Sequence, residues 1–456
     1  MRRLLVLLIP LVLSAQVEID TVIRFPAVLG NGIFIPELNK LYIRSNYRIF
    51  VLDCSTYQLK AEIPTAGTAG YDNFAWNWRR QKLYFTSLGY PHQTLMAIDA
   101  VADTVVRILP FLGWPVYVSS TDRIYPGGGD STPVIDCATD SVVRKIPSPV
   151  PGYGFVTPSW DSVGDKLFVS LSPFQGPGLI AVYDCSYDSL LAVIDLQGLC
   201  APGLMHFNYH YGKAYFAPIC YLGALLCPGV IDINNNTFIK RFPISIEEGE
   251  FNPVAVDTID NKVYISEVCP HGSRTPETLF VIDCATDSII RRVLYRGTTR
   301  FGALVVRWVP WSNRVYFAGE TIGDTLWVLD CRTDSIIARL QLGQAGPADI
   351  QLDPIRQRIF VIGADTMSVH VLRDVVSGVA EPAAPISAVS TLRLWPNPAQ
   401  DWLWLDGTES PVLYSVCGRK VMALVPGRND LQTLTPGVYF VRTRSGTTSQ
   451  KVVIRR

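Results

Sequence analysis

Along most of this chain the apolar positions come in short runs of Val, Ile, Tyr and Phe, alternating with polar residues or bounded by Asn, Asp and Gly. Period-two alternation over so few residues predicts half-buried β-strands separated by turns, and helix signals are nearly absent. The runs also repeat. VIDCATDSVVRKI starts at Val134, VIDCATDSIIRRV at Val281 and VLDCRTDSIIARL at Val328, with weaker copies at Val51, Ala97, Val182 and Val230. Self-similarity at roughly 40–50 residues is the signature of a stacked or radial repeat array.

Each repeat resolves into three strand signals. A polar turn leads into a short aromatic strand in eight copies, at Asn39, Gln81, Asp122, Asp165, Gly212, Asn261, Asn313 and Gln357. A Val-Ile-Asp strand follows, then an Asp-Ser or Asp-Thr strand. The last repeat, near Gln357 to Arg373, lacks its third strand, while a spare copy stands at the front as Asp20-Thr21-Val22-Ile23-Arg24-Phe25. Pairing the two ends would close a ring and remove exposed sheet edges. With an inner strand before each aromatic one, such as Val254 to Asp257, the expectation is an all-β chain. Its main part is a β-propeller of four strands per blade, eight blades being favoured and seven left open by the irregular Asp122 repeat.

These phrases resemble the YVTN family of β-propeller repeats over roughly residues 16–374. The resemblance implies the fold rather than an activity, since that family includes surface proteins, binding proteins and relatives of dehydrogenase subunits.

The two ends of the chain read differently. Met1-Arg2-Arg3, an apolar run from Leu4 to Leu13 and Ser14-Ala15 make a signal peptide over residues 1–15, too short for a comfortable membrane span. No other stretch is apolar enough to span, so the mature protein is expected to be extracytoplasmic and free of a membrane span. Residues 375–390, rich in small residues and proline, read as a linker. Residues 391–456 alternate with period two between Gly and Pro turns, predicting a small C-terminal β-sandwich. Pro396-Asn397-Pro398, Gly418, Gly437 with Tyr439, and the Lys451 strand resemble the C-terminal sorting domain of type IX secretion. That resemblance implies export by the type IX machinery, to the outer surface or the medium.

Composition narrows the function. Lys plus Arg and Asp plus Glu both number 40, so no basic surplus exists to hold nucleic acid. The sequence carries no Gly-x-Ser-x-Gly elbow, phosphate-binding loop or His-Glu-x-x-His zinc motif. No metal or cofactor is called. His206-x-x-x-His210 has helical spacing inside a strand-rich stretch, where that spacing does not bring two imidazoles together. Five of the ten cysteines (54, 137, 185, 284 and 331) occupy one repeat position and read as buried thiols, because equivalent points on neighbouring blades are too far apart to bridge. Cys200, Cys220, Cys227 and Cys269 are off-repeat; Cys220 with Cys227 is a candidate disulfide loop, but four cysteines allow three pairings and spacing does not decide among them. The recurrent Asp53, Asp99, Asp136, Asp184, Asp232, Asp283 and Asp330 read as turn residues accepting backbone hydrogen bonds.

Departures from the repeat concentrate in the connections entering each blade and joining its second and third strands. There Tyr90, His92, Phe174, Gln175, Glu250, His271, Arg274 and Glu277 are the candidate ligand-binding residues. The leading expectation is a secreted or cell-surface module binding a glycan or protein. An extracytoplasmic enzyme of the polysaccharide lyase, glycosidase or quinoprotein type would need acids and arginines converging on the channel, drawn from Glu247, Glu250, Glu267, Arg274 and Arg300. A structural or adhesive surface protein is the third reading.

Overall fold

Two four-residue turns punctuate every repeat but the last, which has only the first of them, and both end on a residue in the left-handed region. The first ends at Asn39, Gln81, Asp122, Asp165, Gly212, Asn261, Asn313 and Gln357, with φ between 50° and 63°. The second ends at Tyr57, Asp103, Asp140, Asp188, Asn236, Asp287 and Asp334, with φ between 49° and 57°. Asn, Asp and Gly tolerate this conformation best, so they recur there. At Gly212 there is also no room, since a Cβ would lie 2.1 Å from the Asn234 side-chain nitrogen.

The carboxylates that open the second turn do what the sequence suggests. Oδ1 of Asp53, Asp99, Asp136, Asp184, Asp232 and Asp330 each accepts two backbone N–H bonds from the turn that follows. The first turn is capped in the same way by buried Asp161, Asn208, Asp257 and Asp353. These caps satisfy groups that a tight turn would otherwise leave unpaired.

The computed structural model describes residues 16–455 except 66–73, 89–92, 112, 174–175, 219–225, 245–253, 268–276, 296–304, 319–324, 344–346, 364–365, 376–392, 396–398, 407–410, 416–419, 426 and 443–448. Every regular element among the described residues is a strand, and no helix is long and apolar enough to cross a membrane. The chain divides into two compact units, Met1–Ser377 and Gly378–Arg456.

In the first unit, eight four-stranded antiparallel sheets follow one another. Blades 1 to 7 span residues 29–64, 74–109, 116–147, 153–195, 202–241, 254–295 and 305–341. Blade 8 takes three strands from 347–375, and its outermost strand is Gln16–Arg24, paired antiparallel with Ser368–Val375. Each blade's first strand touches the first strands of both neighbours, the eighth meeting the first, so the ring is closed. The irregular Asp122 repeat still forms a full blade, with inner strands of three residues, Val116–Val118 and Arg123–Tyr125. The architecture is an eight-bladed β-propeller.

The apolar core is divided among the junctions. Eight buried clusters occur in this unit, and each draws on two neighbouring blades, such as Tyr215, Val230 and Phe242 of blade 5 with Val263, Phe280 and Cys284 of blade 6. No blade buries its two faces alone, so the ring is the folding unit. In every blade the pairing of the third strand with the outermost one shifts register at a β-bulge. A bulge on an outer edge discourages edge-to-edge pairing with another chain.

The second unit has a three-stranded sheet of Arg393–Trp395, Trp402–Asp406 and Gly427–Asp430, and a four-stranded sheet containing Val412–Ser415, Lys420–Ala423, Gly437–Arg442 and Ser449–Ile454. Leu403 and Leu405 from the first pack with Leu413, Val441, Val452 and Ile454 from the second in one core.

Candidate functional site

The repeat's charged residues meet between blades. On the second strand of each blade a Lys or Arg and an aromatic residue lie two positions apart, hence on one side of the strand. Lys40 Nζ donates to both carboxylate oxygens of Asp103 in the next blade at 2.8 Å and to Ala100 O at 2.7 Å. Tyr42 donates its hydroxyl to the same carboxylate. The arrangement recurs as Lys82 and Tyr84 on Asp140 (2.5 and 2.6 Å), Arg123 and Tyr125 on Asp188 (3.0 and 2.6 Å), Lys213 and Tyr215 on Asp287 (2.7 and 2.8 Å), and Lys262 and Tyr264 on Asp334 (2.8 and 2.9 Å). Arg314 pairs with buried Asp374 beside Tyr316. Burial and the facing carboxylate raise the pKa of each of these tyrosines, so the phenol stays a proton donor.

The first Asp of Asp-Cys-x-Thr-Asp shows its turn role locally, whereas the second, the junction carboxylate, has its partners in the preceding blade and no local signal in the sequence. The signal that could have found it is internal covariation. Where the strand carries Phe168 or Phe360 in place of Tyr, the next blade carries Asn236 or Tyr57 in place of Asp.

The recurrent cysteines pack into these same junctions. Cys54, Cys137, Cys185, Cys284 and Cys331 are buried free thiols, as expected. Burial pushes Cys284 up to about 11 and Cys54 and Cys137 up to about 12, so they stay protonated and unreactive at neutral pH.

A polar cluster on the first strands links blades 7, 8 and 1. Asp349 accepts from Arg307 at 3.3 Å, Gln351 at 2.7 Å, its neighbour Ile350 N at 2.7 Å and Gly32 N at 3.0 Å, while Gln351 Oε1 accepts from Phe34 N at 3.3 Å. Gly32 permits the close approach of blade 1, since a Cβ there would lie 2.6 Å from the Ile362 side chain. This cluster fastens the ring where its ends meet.

Of the candidate binding residues, Tyr90, His92, Phe174, Gln175, Glu250, His271 and Arg274 lie outside the described residues. Glu277 opens the strand Glu277–Asp283, opposite Tyr295. Among the sorting motif, Pro396, Asn397, Pro398 and Gly418 also lie outside. Gly437 and Tyr439 belong to the strand Gly437–Arg442 and Lys451 to the adjacent Ser449–Ile454, and the Tyr439 hydroxyl donates to Thr435 O at 2.7 Å. The disulfide expected between Cys220 and Cys227 is not formed. Cys227 is a half-buried free thiol, and among the described residues the cysteine held in a disulfide is Cys200, on the connection between blades 4 and 5. His206 lies in the strand Pro202–Asn208 and His210 in the turn after it, where its ring meets Tyr211 edge-on. Among the described residues no group of three His, Cys, Asp or Glu side chains is placed to hold a metal ion.

Connectivity sorts the connections by face. In antiparallel blades the first-to-second and third-to-fourth turns share one end, and all of them span four residues. The remaining connections share the other end, and they range from two residues at 46–47 to ten at 219–228 and 267–276 and twelve at 242–253. By position in the sequence, Tyr90, His92, Phe174, Gln175, Glu250, His271 and Arg274 fall within these connections, and Glu277 directly follows one. The longest connections gather on blades 5 to 7, where Glu250, His271, Arg274 and Glu277 fall, whereas Tyr90 and His92 belong to blade 2 and Phe174 and Gln175 to blade 4.

No family model matches the sequence, and no curated protein matches it. Among solved structures, Kuenenia stuttgartiensis hydrazine synthase superimposes with a TM-score of 0.50 at 12% identity, covering 78% of this chain and 98% of that one. At that identity the likeness is one of fold alone.

Proposed function

We propose that this is a secreted or cell-surface β-propeller of YVTN type that acts as a binding module, with a C-terminal type IX sorting domain as its export signal. The observation that carries the reading is the segregation of connections: one face is built of uniform four-residue turns, the other of connections up to twelve residues long. Uniform turns serve the scaffold, whereas variable connections on a rigid scaffold are where recognition is built. The second support is that the repeated charges are consumed in junctions and turn caps, which leaves recognition to the variable face. The ligand class we assign is an extracellular glycan or protein, with blades 5 to 7 as the sector of first contact.

The test is a thermal-shift screen of the full chain against polysaccharides, peptides and divalent metals, with product analysis of every hit. A ligand at about 100 times its dissociation constant stabilises by about 2.7 kcal/mol. A stabilising glycan or protein recovered intact is the expected result. A hit that is cleaved or oxidised would overturn the binding-module reading in favour of an enzyme.

A further inference from the structure

The ladder between the third and outermost strands allows the blades to be compared position by position. At one position blades 5, 6 and 7 each carry an arginine: Arg241 opposite Gly229, Arg292 opposite Phe280 and Arg339 opposite Trp327. In the other five blades the same position holds Glu62, Ile108, Lys145, Val193 or Val22. The three arginines are exposed. Their strands carry five Lys or Arg residues and no Asp or Glu. One of the five, Arg291, is occupied in the scaffold, donating to Thr333 O of blade 7 at 2.8 Å. The arginine row is not part of the repeat and coincides with the sector of longest connections, and Arg241 directly precedes the connection 242–253.

Two of the guanidinium groups are seated on rings, Arg292 at 5.6 Å from the centroid of Phe280 and Arg339 at 4.9 Å from that of Trp327. A cation already held in place loses little freedom when an anion docks. The guanidinium fork matches two oxygens of a carboxylate or sulfate. Phe280 is buried and Trp327 stacks on Phe317, so the row offers charge and no open ring for a nucleic-acid base. Blades 5 and 7 are a quarter of a turn apart in the ring of eight. Their outer edges therefore face different directions, which suits a flexible polymer bending around the rim and not a flat bilayer.

We propose that this arginine row is a subsite for an acidic glycan, bound through its carboxylate or sulfate groups along the rim of blades 5 to 7 while the adjoining connections make the remaining contacts. This ligand class rests on the binding-module reading of the same sector.

Binding of the full chain to dextran, dextran sulfate and polygalacturonate, followed by biolayer interferometry at low and high salt, tests it. The parent is expected to bind an acidic polymer and not dextran, and to lose affinity as salt rises. Dextran sulfate alone marks a sulfate subsite, and polygalacturonate alone a carboxylate subsite. Arg241→Gln, Arg292→Gln and Arg339→Gln together should weaken binding about 10- to 100-fold, as loss of three exposed ion pairs implies. Lys60→Gln, Arg107→Gln and Lys145→Gln make the same change of charge on blades 1 to 3 and should leave affinity within about 2-fold of the parent. No binding of either acidic polymer, equal weakening by the two triple variants, or tighter capture of oligothymidylate or phosphatidylglycerol vesicles would each overturn the proposal. If the parent captures only a neutral glycan or a protein, and the arginine variant captures it equally, the subsite falls and the binding-module reading stands. An acidic polymer bound through the row but cleaved would uphold the subsite and overturn that reading.

Discussion

Asp287 receives Lys213 and the Tyr215 hydroxyl from the neighbouring blade, so Asp287→Ala strands a part-buried cation and a buried phenol at once. The expected loss is about 3–5 kcal/mol, against about 1 kcal/mol for Tyr215→Phe, read as shifts of the denaturant midpoint. Asp257 makes stability depend on pH. Burial raises its pKa above 3.8, neighbouring Asp260 adds to the rise and Lys262 opposes it, and its Oδ2 has no partner. A carboxyl whose pKa is raised by folding contributes stability below its unfolded pKa and loses it as pH rises through the folded value. Asp257→Asn keeps the turn cap, so its stability relative to the parent should increase as pH climbs from about 3.8 upward, followed in paired denaturation series. Asp53 and Asp283 carry the reverse sign, since bonds from the Ser55 N–H and from the Thr286 hydroxyl and N–H lower their pKa values. Their contribution is present above 3.8 and fades as pH falls through the lowered values. At this scale the caps were legible because donor and acceptor sit two or three residues apart. The junction aspartates were not, because their partners lie about a whole repeat away.

The strand Gln16–Arg24 is the element on which closure of the ring depends. The displaced repeat copy at the front of the sequence announced its pairing with the last blade, and the register confirms it, from Val17 opposite Asp374 to Arg24 opposite Ser368. Removing residues 16–24 would bare the edge of Ser368–Val375 and uncover Val369 and Leu372, both fully buried in the intact ring. The shortened chain should elute as oligomers or aggregate, whereas the full ring is protected at each outer edge by a bulge. Strand boundaries were readable because turn chemistry repeats with little variation. The disulfide was not, since the separation of Cys220 and Cys227 along the chain carries no information about which sulfurs the blades bring together.

The whole molecule is a ring whose parts stabilise one another, followed by a second unit with its own core. Ending the chain at Ser377 should therefore leave the unfolding transition of the propeller within about 0.5 kcal/mol of the parent, measured by calorimetry on both proteins. Eight copies of one turn-and-strand signal favoured eight blades but left seven open at the irregular Asp122 repeat, and the structure resolves this because that repeat, though compressed to inner strands of three residues, still forms a full sheet. The candidate binding residues were less legible: Tyr90, Phe174 and His271 fall in connections, where the repeat stops constraining the chain and pattern gives no guide to partners. The most direct measurement of the central claim compares three full-length proteins on a glycan and protein array. These are the parent, a variant with connections 219–228 and 267–276 cut to two-residue turns like that at 46–47, and a variant with Arg332→Glu and Tyr187→Ser on the uniform-turn face. The account predicts that ligands bound by the parent are lost from the shortened variant and kept by the third protein. Ligands kept by the shortened variant and lost from the third would contradict it.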